Sequence, residues 1–219
     1  MFPEWTDGVA KAVGNGLVTT LLLAAVILVA SGVFGVLLGM LYTVPFKPLR
    51  LLLRGYIEFW RGLPMLVTIF LIFFGLPVIG VMTEPFVAAA IALSLWGSAN
   101  LAEIVQGAIN SLPEGQNRAA AALGMPWHHR MLSVLLPQAA RRALPPTIGI
   151  VTILIQSTTL ASLVGLREGV SAARQQMERL TLFSGDSHAT TIFGVLMLVF
   201  FVICFPLSVW AKRAERRLD

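Results

Sequence analysis

The sequence predicts an all-α, polytopic membrane protein with about five transmembrane helices. Of the 219 residues, 57% are hydrophobic and 12% are charged, whereas about 25% of the residues in a soluble domain are charged. The hydrophobic residues form long blocks, and a helix needs roughly 20 apolar residues to cross a hydrocarbon core about 30 Å thick. Because the sequence lacks the alternating segments that are typical of β-barrel strands, the spans are expected to be helices.

Five apolar blocks supply these helices, and we treat residues 1–219 as a single transmembrane domain. The first block contains Gly35-x-x-x-Gly39. The prolines at 145 and 146 are expected to mark the start of the fourth helix, since proline cannot donate a backbone hydrogen bond. The predicted spans cover about residues 17–44, 63–82, 85–106, 144–164 and 190–211.

The distribution of charge predicts the orientation. With five spans, twelve of the 16 Lys and Arg residues fall on one side of the membrane. By the positive-inside rule that side is cytoplasmic, which places the N-terminus outside and the C-terminus inside. The twelve are Lys47, Arg50, Arg54, Arg61, Arg118, Arg130, Arg141, Arg142, Lys212, Arg213, Arg216 and Arg217.

An external amphipathic helix is predicted at about residues 166–181. Arg174 and Glu178 lie one turn apart, off its apolar stripe, and can form an ion pair. We expect this helix to rest on the membrane or on neighbouring spans, and a role in gating or in docking an outer partner stays open. The stripe consists of Leu166, Val170, Ala173, Met177 and Leu180.

The cytoplasmic loop at residues 111–142 is predicted to form two helices. The first runs from Gln116 to Leu123, Gly124-Met125-Pro126 interrupts it, and the second runs from Trp127 to Leu136. Small side chains from Ala119 to Ala122, followed by apolar anchors, suit docking into a groove on a partner protein. The alternative is a loop that packs only under its own bundle. The anchors are Leu123, Met125 and Trp127.

Several motifs of the chain resemble the binding-protein-dependent ABC permeases. Gly115–Gly124, followed by Leu136-Pro137-Gln138-Ala139, is similar to the Glu-Ala-Ala loop of that family, and the match looks closest to the polar amino-acid uptake permeases. Four further stretches resemble the family in the same order along the chain, and the resemblance implies the transmembrane-domain fold of a type I ABC importer. They are Gly55–Pro64, Ala102–Gln116, Arg142–Pro146 and Thr158–Ser162.

The resemblance also implies a function and a set of partners. It implies a permease subunit that moves a polar amino acid across the inner (plasma) membrane of a prokaryote by alternating access. Two ATP-binding-cassette ATPases, a second permease subunit, identical or paralogous, and an external solute-binding protein are the implied partners. The sequence lacks the Gly-x-x-x-x-Gly-Lys-Ser/Thr loop that holds phosphates. We therefore expect a non-catalytic chain without a cofactor, with ATP and Mg in the partner ATPase, in contact with lipid but not nucleic acid.

The loop is the predicted contact with the ATPase, and it departs from the family pattern at one position. Arg118 stands where the loop usually has a glutamate, so a contact of that carboxylate with a basic group on the ATPase would have to be replaced. The predicted contact residues are Gly115, Arg118, Ala119, Ala120, Leu123, Gly124, Met125, Pro126 and Trp127.

Polar residues within the apolar blocks are the candidates for a substrate path. A carboxylate in a span costs about 2.5–3.5 kcal/mol on insertion scales, which makes Glu103 the leading candidate, although a structural pair with Arg61 is the favoured interpretation. Glu58 and Arg61 are predicted to form a local pair at the membrane edge. Polar contacts between helices would explain each candidate equally well. The candidates are Ser98, Asn100, Glu103, Gln156, Thr158 and Thr159.

Two other classes of function remain as alternatives. A secondary transporter or channel that works alone would favour inverted repeats, and the sequence contains none. A non-transporting membrane scaffold is favoured slightly by the departures at Arg118 and Gln156, where the family usually has glutamate and lysine. No catalytic triad or cluster of metal ligands is present in the sequence. The amino acid carried and the choice between homodimer and heterodimer stay open.

Overall fold

The apolar blocks of the sequence fold into long helices. The structure is a computed structural model that describes residues 5–185 and 187–216, so that Arg217 lies outside the described residues. The elements in chain order are α1 (Trp5–Leu41), α2 (Lys47–Gly62), α3 (Met65–Gly75), a 3-10 turn (Leu76–Ile79), α4 (Pro85–Asn110), α5 (Glu114–Ala122), α6 (Trp127–His129), a π-helical segment (Arg130–Leu135), α7 (Leu136–Ser157), a 3-10 segment (Thr158–Val164), α8 (Gly169–Ser184) and α9 (Ala189–Glu215).

The number of spans agrees with the prediction. In residues 5–185 and 187–216, four helical stretches are long and apolar enough to cross a membrane, and a bent pair of helices can supply a fifth. The bent pair is α2 and α3, which differ in direction by 103°. The four stretches are Thr6–Leu41, Pro85–Asn110, Trp127–Val164 and Ala189–Glu215. The predicted all-α fold with about five spans is therefore confirmed.

The second span differs from the straight helix predicted at residues 63–82. Its α-helical part, α3, is only 11 residues long and ends in the 3-10 turn. Leu63, which precedes Pro64, is extended with ψ 137°, because a residue before proline is disfavoured in the helical region. Gly80 ends the turn at φ 85°, a conformation that glycine adopts without strain.

Contrary to the prediction from the sequence, Pro145 and Pro146 do not mark the start of the fourth helix. The helical stretch begins at Trp127 and includes Pro145 and Pro146 in the interior of α7. Proline removes one backbone donor and crowds the carbonyl four residues earlier, but membrane helices tolerate this where their surroundings satisfy the freed groups. Upstream of Pro137, the Leu136 amide donates to the Met131 carbonyl five residues earlier, and this wider π turn accommodates a proline that would disturb an α-turn.

The chain divides into two compact units assembled from interleaved segments. One unit comprises Met1–Leu28, Pro64–Leu93 and Ile153–Pro206, and the other comprises Val29–Leu63, Ser94–Thr152 and Leu207–Asp219. In the first unit, Ala173 of α8 forms a buried cluster with Ile192 and Leu196 of α9. Val13 and Leu17 of α1 pack against this cluster. The helix predicted at residues 166–181 is thus α8, and its stripe faces protein.

Two glycines set the packing within the second unit. A Cβ at Gly35 would lie 2.5 Å from the Leu101 Cβ, and one at Gly39 would lie 2.7 Å from the Val105 Cβ. Neither distance is possible for real side chains, so α1 and α4 approach closely because both positions lack a side chain. This contact is the function expected of the Gly-x-x-x-Gly spacing.

Gly39→Ala is expected to destabilise the protein, because its Cβ also falls 2.8 Å from the Ala102 carbonyl oxygen, which the backbone holds in place. Overpacking of this kind costs about 1–3 kcal/mol. Gly32→Ala is the matched control in the same helix, because a Cβ there meets nothing within 4 Å. Unfolding of the purified variants in mixed micelles measures the difference. Equal stability of the two variants would contradict the close contact.

Candidate functional site

Helix α5 and the turn after it form the most exposed feature of the second unit. We call Glu114–Pro126 the α5 loop. In α5 only Ala120 is buried, at 5% exposure, whereas Gly115, Arg118 and Ala119 are exposed. An amphipathic helix that only covered its own bundle would bury a whole stripe. The exposed side of α5 is therefore free to contact another molecule.

The turn after α5 carries an exposed leucine at its tip. The amide of Gly124 donates to the Ala121 carbonyl at 2.9 Å, and that of Met125 donates to the Ala120 carbonyl at 3.2 Å. This is the Schellman pattern that closes a helix end, with Gly124 in the left-handed region at φ 74°. Leu123, the residue before this glycine, is 81% exposed. The predicted helix break at Gly124-Met125-Pro126 is therefore observed, and it presents an apolar side chain to the surroundings.

Trp127 differs from the other predicted anchors, because it faces the protein. Its side chain packs against a buried cluster that includes Ile109 of α4 and Met131 and Leu135 of the long helical stretch. Pro126 precedes it as the N-cap residue of α6. The predicted contact residues thus divide into a largely exposed group around Leu123 and two residues that face the protein, Ala120 and Trp127.

Polar contacts hold the α5 loop to the helix that follows it. The Arg130 guanidinium donates from Nη1 to the Asn117 Oδ1 at 3.2 Å. Within α5, Arg118 pairs with Glu114 one turn earlier, and both side chains are exposed. An exposed pair of this kind contributes little stability, but it places a carboxylate beside the arginine.

The ion pair predicted between Glu58 and Arg61 is not formed. Glu58 accepts from Arg54 at 2.7 Å, one turn earlier on α2, whereas Arg61 lies 3.3 Å from Glu103 of α4. The i,i+4 spacing aligns Arg54 with Glu58 on one helix face, and Arg61 reaches the neighbouring helix instead. The structural pair of Arg61 with Glu103, which the sequence favoured, is therefore observed.

Three of the substrate-path candidates lie on α4 and differ in exposure. Ser98 is 2% exposed, and its hydroxyl lies 2.7 Å from the Tyr56 hydroxyl. The Asn100 amide donates to the Trp96 carbonyl at 2.9 Å, which leaves its oxygen available as an acceptor. Asn100 is half-buried and Glu103 is exposed. Of these three candidates, Asn100 and Glu103 present polar groups on the accessible side of α4.

The other three candidates lie in the first unit, around the end of α7. Thr158 is fully buried, and its hydroxyl donates to the Ile155 carbonyl at 2.7 Å. The Thr159 hydroxyl donates to the carbonyl of Gln156 at 2.8 Å, and the Gln156 side chain is exposed. The threonine protons are thus bonded within their own segment, and the Gln156 side chain forms a hydrogen bond with Cys204 of α9.

Histidine and carboxylate residues do not gather into a metal site in the described segments. No group of three His, Cys, Asp or Glu side chains there lies close enough to hold a metal ion. His128 and His129 are adjacent, with ring centroids 4.7 Å apart, and both are exposed.

Sequence reasoning missed Glu168, which is a buried carboxylate at the start of α8. It is 0% exposed, and its two oxygens accept from the backbone amides of Ser171 at 2.7 Å and Val170 at 2.9 Å. The Thr20 hydroxyl of α1 lies 3.4 Å from the carboxylate and accepts from the Gly169 amide at 3.1 Å. Burial raises the pKa of Glu168 above its ordinary value, although these hydrogen bonds lower it. Asp, Asn, Ser and Thr are the usual N-cap residues, so the glutamate gave no capping signal.

Gly16 brings α1 into contact with this carboxylate. A Cβ at Gly16 would lie 2.8 Å from the Glu168 carbonyl oxygen and 2.9 Å from the Ala172 Cβ. The N-terminal part of α1 and the start of α8 are therefore joined by close backbone contact and by a buried capping network.

Comparison with known proteins gives consistent relatives. Residues 31–219 match the family described as "Binding-protein-dependent transport system inner membrane component". The chain is 32% identical over 208 residues to a probable glutamine ABC transporter permease protein of Bacillus subtilis (strain 168). This alignment covers 94% of this chain and 92% of that protein. It is 33% identical over 195 residues to an L-cystine transport system permease protein of the same organism, and this alignment covers 87% of this chain and 81% of that protein.

A solved structure agrees over the whole chain. "Crystal structure of an amino acid ABC transporter with histidines" contains a chain that matches with a TM-score of 0.80 and 26% identity. The match covers 99% of this chain and 100% of that chain. The helical architecture described above is therefore shared from end to end.

Glu168→Ala is expected to lower the free energy of unfolding by about 0.5–2 kcal/mol, because the amides at the start of α8 lose their acceptor. The ordinary pKa of this glutamate, which applies to the unfolded chain, is 4.5. At pH values between 4.5 and the raised pKa of the folded protein, Glu168 keeps a proton in the folded protein that it has lost in the unfolded chain. The free energy of unfolding of the unsubstituted protein therefore falls as pH rises through that interval, and Glu168→Ala removes this dependence. Unfolding in mixed micelles at several pH values measures both effects.

Glu178→Ala is the control for this experiment, since its carboxylate is exposed on the same helix. An exposed substitution changes stability by no more than about 0.5 kcal/mol. A pH dependence that persists in Glu168→Ala would assign it to another group.

Proposed function

The chain belongs to the family of binding-protein-dependent transport system inner membrane components, and we propose that it couples ATP hydrolysis in separate subunits to amino-acid import. It is a permease subunit of an amino-acid ABC transporter. The coupling itself is the proposal, and the observation that carries it is the α5 loop, whose exposed small residues end in an exposed leucine.

The α5 loop is the docking element for the ATPase in this proposal. Small side chains at Gly115 and Ala119 let a partner approach the helix backbone closely, and Leu123 inserts into an apolar groove of the partner. The Glu114–Arg118 pair supplies a carboxylate one turn from the position where the family usually has its glutamate. Glu114 can therefore face a basic group on the ATPase in place of that glutamate.

Movement of the loop reaches the spans through continuous structure. A three-residue connection, from Ser111 to Pro113, joins α5 to the end of α4, and on the other side the helical stretch continues from Trp127 to Val164. Trp127 and Met131 pack against the end of α4. Closure of two ATPases around ATP and Mg would pull two such loops together, and the attached helices would then alternate between inward-facing and outward-facing states.

The accessible side of α4 is the proposed substrate path within the second unit. Trp96, Asn100, Glu103, Gly107 and Asn110 recur at steps of four and three, and all are exposed or half-buried. A polar stripe on a membrane helix needs polar surroundings. A second permease subunit, identical or paralogous, facing this stripe would enclose a path for a polar amino acid delivered by an external solute-binding protein.

The orientation in this proposal places the α5 loop in the cytoplasm and α8 outside, in a prokaryotic inner membrane. The cations Arg118, Arg130, Arg141 and Arg142 lie in or close after the loop, as the positive-inside rule requires. Docking of a cytosolic ATPase onto the α5 loop tests this orientation together with the contact.

Leu123→Asp is expected to weaken binding of the partner ATPase at least tenfold, because a leucine that fills a groove contributes about 1.5–3 kcal/mol. Leu182→Asp on α8 is the matched control, since Leu182 is 84% exposed and Leu123 is 81% exposed. Titration of the ATPase onto permease-containing nanodiscs measures both affinities. Equal affinities would exclude Leu123 as the anchor.

Gly124→Ala is expected to lower ATP hydrolysis of the reconstituted transporter about fivefold or more, because a left-handed conformation costs an L-residue about 1–2 kcal/mol. Gly124→Asn also adds a Cβ, which meets nothing within 4 Å in this chain, but asparagine tolerates positive φ and should retain most of the activity. Hydrolysis is measured in liposomes with the solute-binding protein and a series of amino acids.

The outcome separates the proposed function from its alternatives. Hydrolysis that rises with one loaded binding protein, and falls in Gly124→Ala but not in Gly124→Asn, supports coupling and identifies the substrate. If the complex assembles but the rate of ATP hydrolysis does not depend on this chain, a non-transporting scaffold would be favoured. Uptake without the ATPase would indicate a secondary transporter.

A further inference from the structure

A cavity of about 590 Å³ lies beneath the α5 loop. It is bounded by the end of α4, by α5 and by the start of the long helical stretch, all within the second unit. Its volume falls in the range of about 300–1,000 Å³ that small-molecule sites occupy. The cavity shares only Asn110 with the substrate path proposed above, and the other residues of the α4 stripe do not line it.

Arg130 supplies the cavity with an incompletely bonded cation. Its Nη1 donates to Asn117, but its Nε is buried and has no hydrogen-bond partner within the described part of the chain. A buried donor without an acceptor is unfavourable, and a guanidinium binds a carboxylate with two parallel N–H donors. Because the Nε is enclosed by protein, an anion in the cavity would bond to Arg130 through the terminal nitrogens of the guanidinium.

Glu114 supplies the opposite charge at the same cavity. Its Oε2 pairs with Arg118, and a carboxylate has about four acceptor positions on its two oxygens. It can therefore accept an ammonium group while it keeps the pair with Arg118. The cavity thus presents a cation and a carboxylate from two different helices.

The remaining wall is largely apolar. Ile109, Trp127, Met131 and Leu135 line it. We propose that the cavity binds a free amino acid as a zwitterion, with the carboxylate on Arg130, the ammonium on Glu114 and the side chain against this wall. Charge specifies both ends of the ligand. A simple anion such as phosphate has no cationic group for Glu114 and would satisfy only one end of the site.

The expected consequence is regulation of the coupling, and this step rests on the proposed function. Glu114 belongs to α5, whereas Arg130 belongs to the π-helical segment that leads into α7. A ligand that bonds both residues restrains α5 relative to the helix that transmits its movement. Cytoplasmic amino acid would thus lower the rate of coupled ATP hydrolysis when it accumulates.

Binding to the assembled transporter in nanodiscs tests the site directly. The probes are L-glutamine, L-arginine, L-cystine, their N-acetyl derivatives and inorganic phosphate, titrated by calorimetry. Arg130→Met is expected to weaken binding of the preferred amino acid at least tenfold, and Arg130→Lys, which keeps the charge but not the paired donors, should weaken it less. Arg50→Met is the matched control, since Arg50 is exposed on α2 and does not line the cavity.

Glu114→Gln separates a zwitterion from an anion. The unsubstituted protein is expected to prefer the free amino acid over its N-acetyl derivative at least tenfold, and Glu114→Gln should lose that preference. Equal binding by Arg130→Met and the unsubstituted protein would overturn the proposal. Binding of phosphate in place of amino acids would overturn it as well and would point to a phosphate-bearing ligand.

Liposomes preloaded with the amino acid test the regulation. For each variant, hydrolysis with internal amino acid is divided by hydrolysis without it. The unsubstituted protein and Arg50→Met should be inhibited, whereas Arg130→Met should need at least tenfold more amino acid for half-inhibition. Equal inhibition of Arg130→Met and Arg50→Met refutes the regulatory role. If hydrolysis of the unsubstituted transporter does not depend on this chain, the proposed function itself fails, and the calorimetric result still decides on the site.

Discussion

The fold depends on one constraint, which is that hydrocarbon offers no hydrogen-bond partner to the backbone or to a polar side chain. A segment that crosses lipid must therefore satisfy its own polar groups. Two buried hydroxyls follow this rule, since Thr20 and Thr158 each donate to a carbonyl three or four residues earlier, whereas the buried Ser31 hydroxyl of α1 has no partner among the described residues. The prolines inside α7 test the same rule, because each removes a donor without ending the helix.

Close packing replaces hydrophobic burial as the force between the helices, because lipid is as apolar as the side chains themselves. Helix α1 uses glycine for two such contacts. Near its N-terminus, Gly16 meets the start of α8, and farther along, Gly35 and Gly39 meet α4. Each contact excludes even a methyl group. One long helix thus contributes to the packing of both units at positions where it has no side chain.

Local patterns made the span count and the turn after α5 predictable, because apolar length and a Gly-x-Pro break depend only on neighbouring residues. The start of the fourth helix was predicted wrongly, since the local preference of Pro145 and Pro146 is overridden in a membrane helix. The capping network of Glu168 depends on Thr20, which is 148 residues away in sequence. Such partners have no local signature, and the pairing of Glu58 with Arg54 instead of Arg61 likewise depends on where α4 lies.

The α5 loop combines an exposed tip with an inner cavity, and the two proposals assign coupling to the tip and ligand binding to the cavity. If the loop were rigidly packed on the bundle, it would transmit force but leave no room for a ligand. Its attachment instead consists of Trp127 on the apolar side and of the Asn117–Arg130 hydrogen bond on the polar side. In the proposed function, the apolar contact would carry motion of the loop into α4 whether or not a ligand is bound. The polar contact is a single Asn117–Arg130 hydrogen bond, so a ligand that bonds to Arg130 in the proposed site would change how firmly the loop is held.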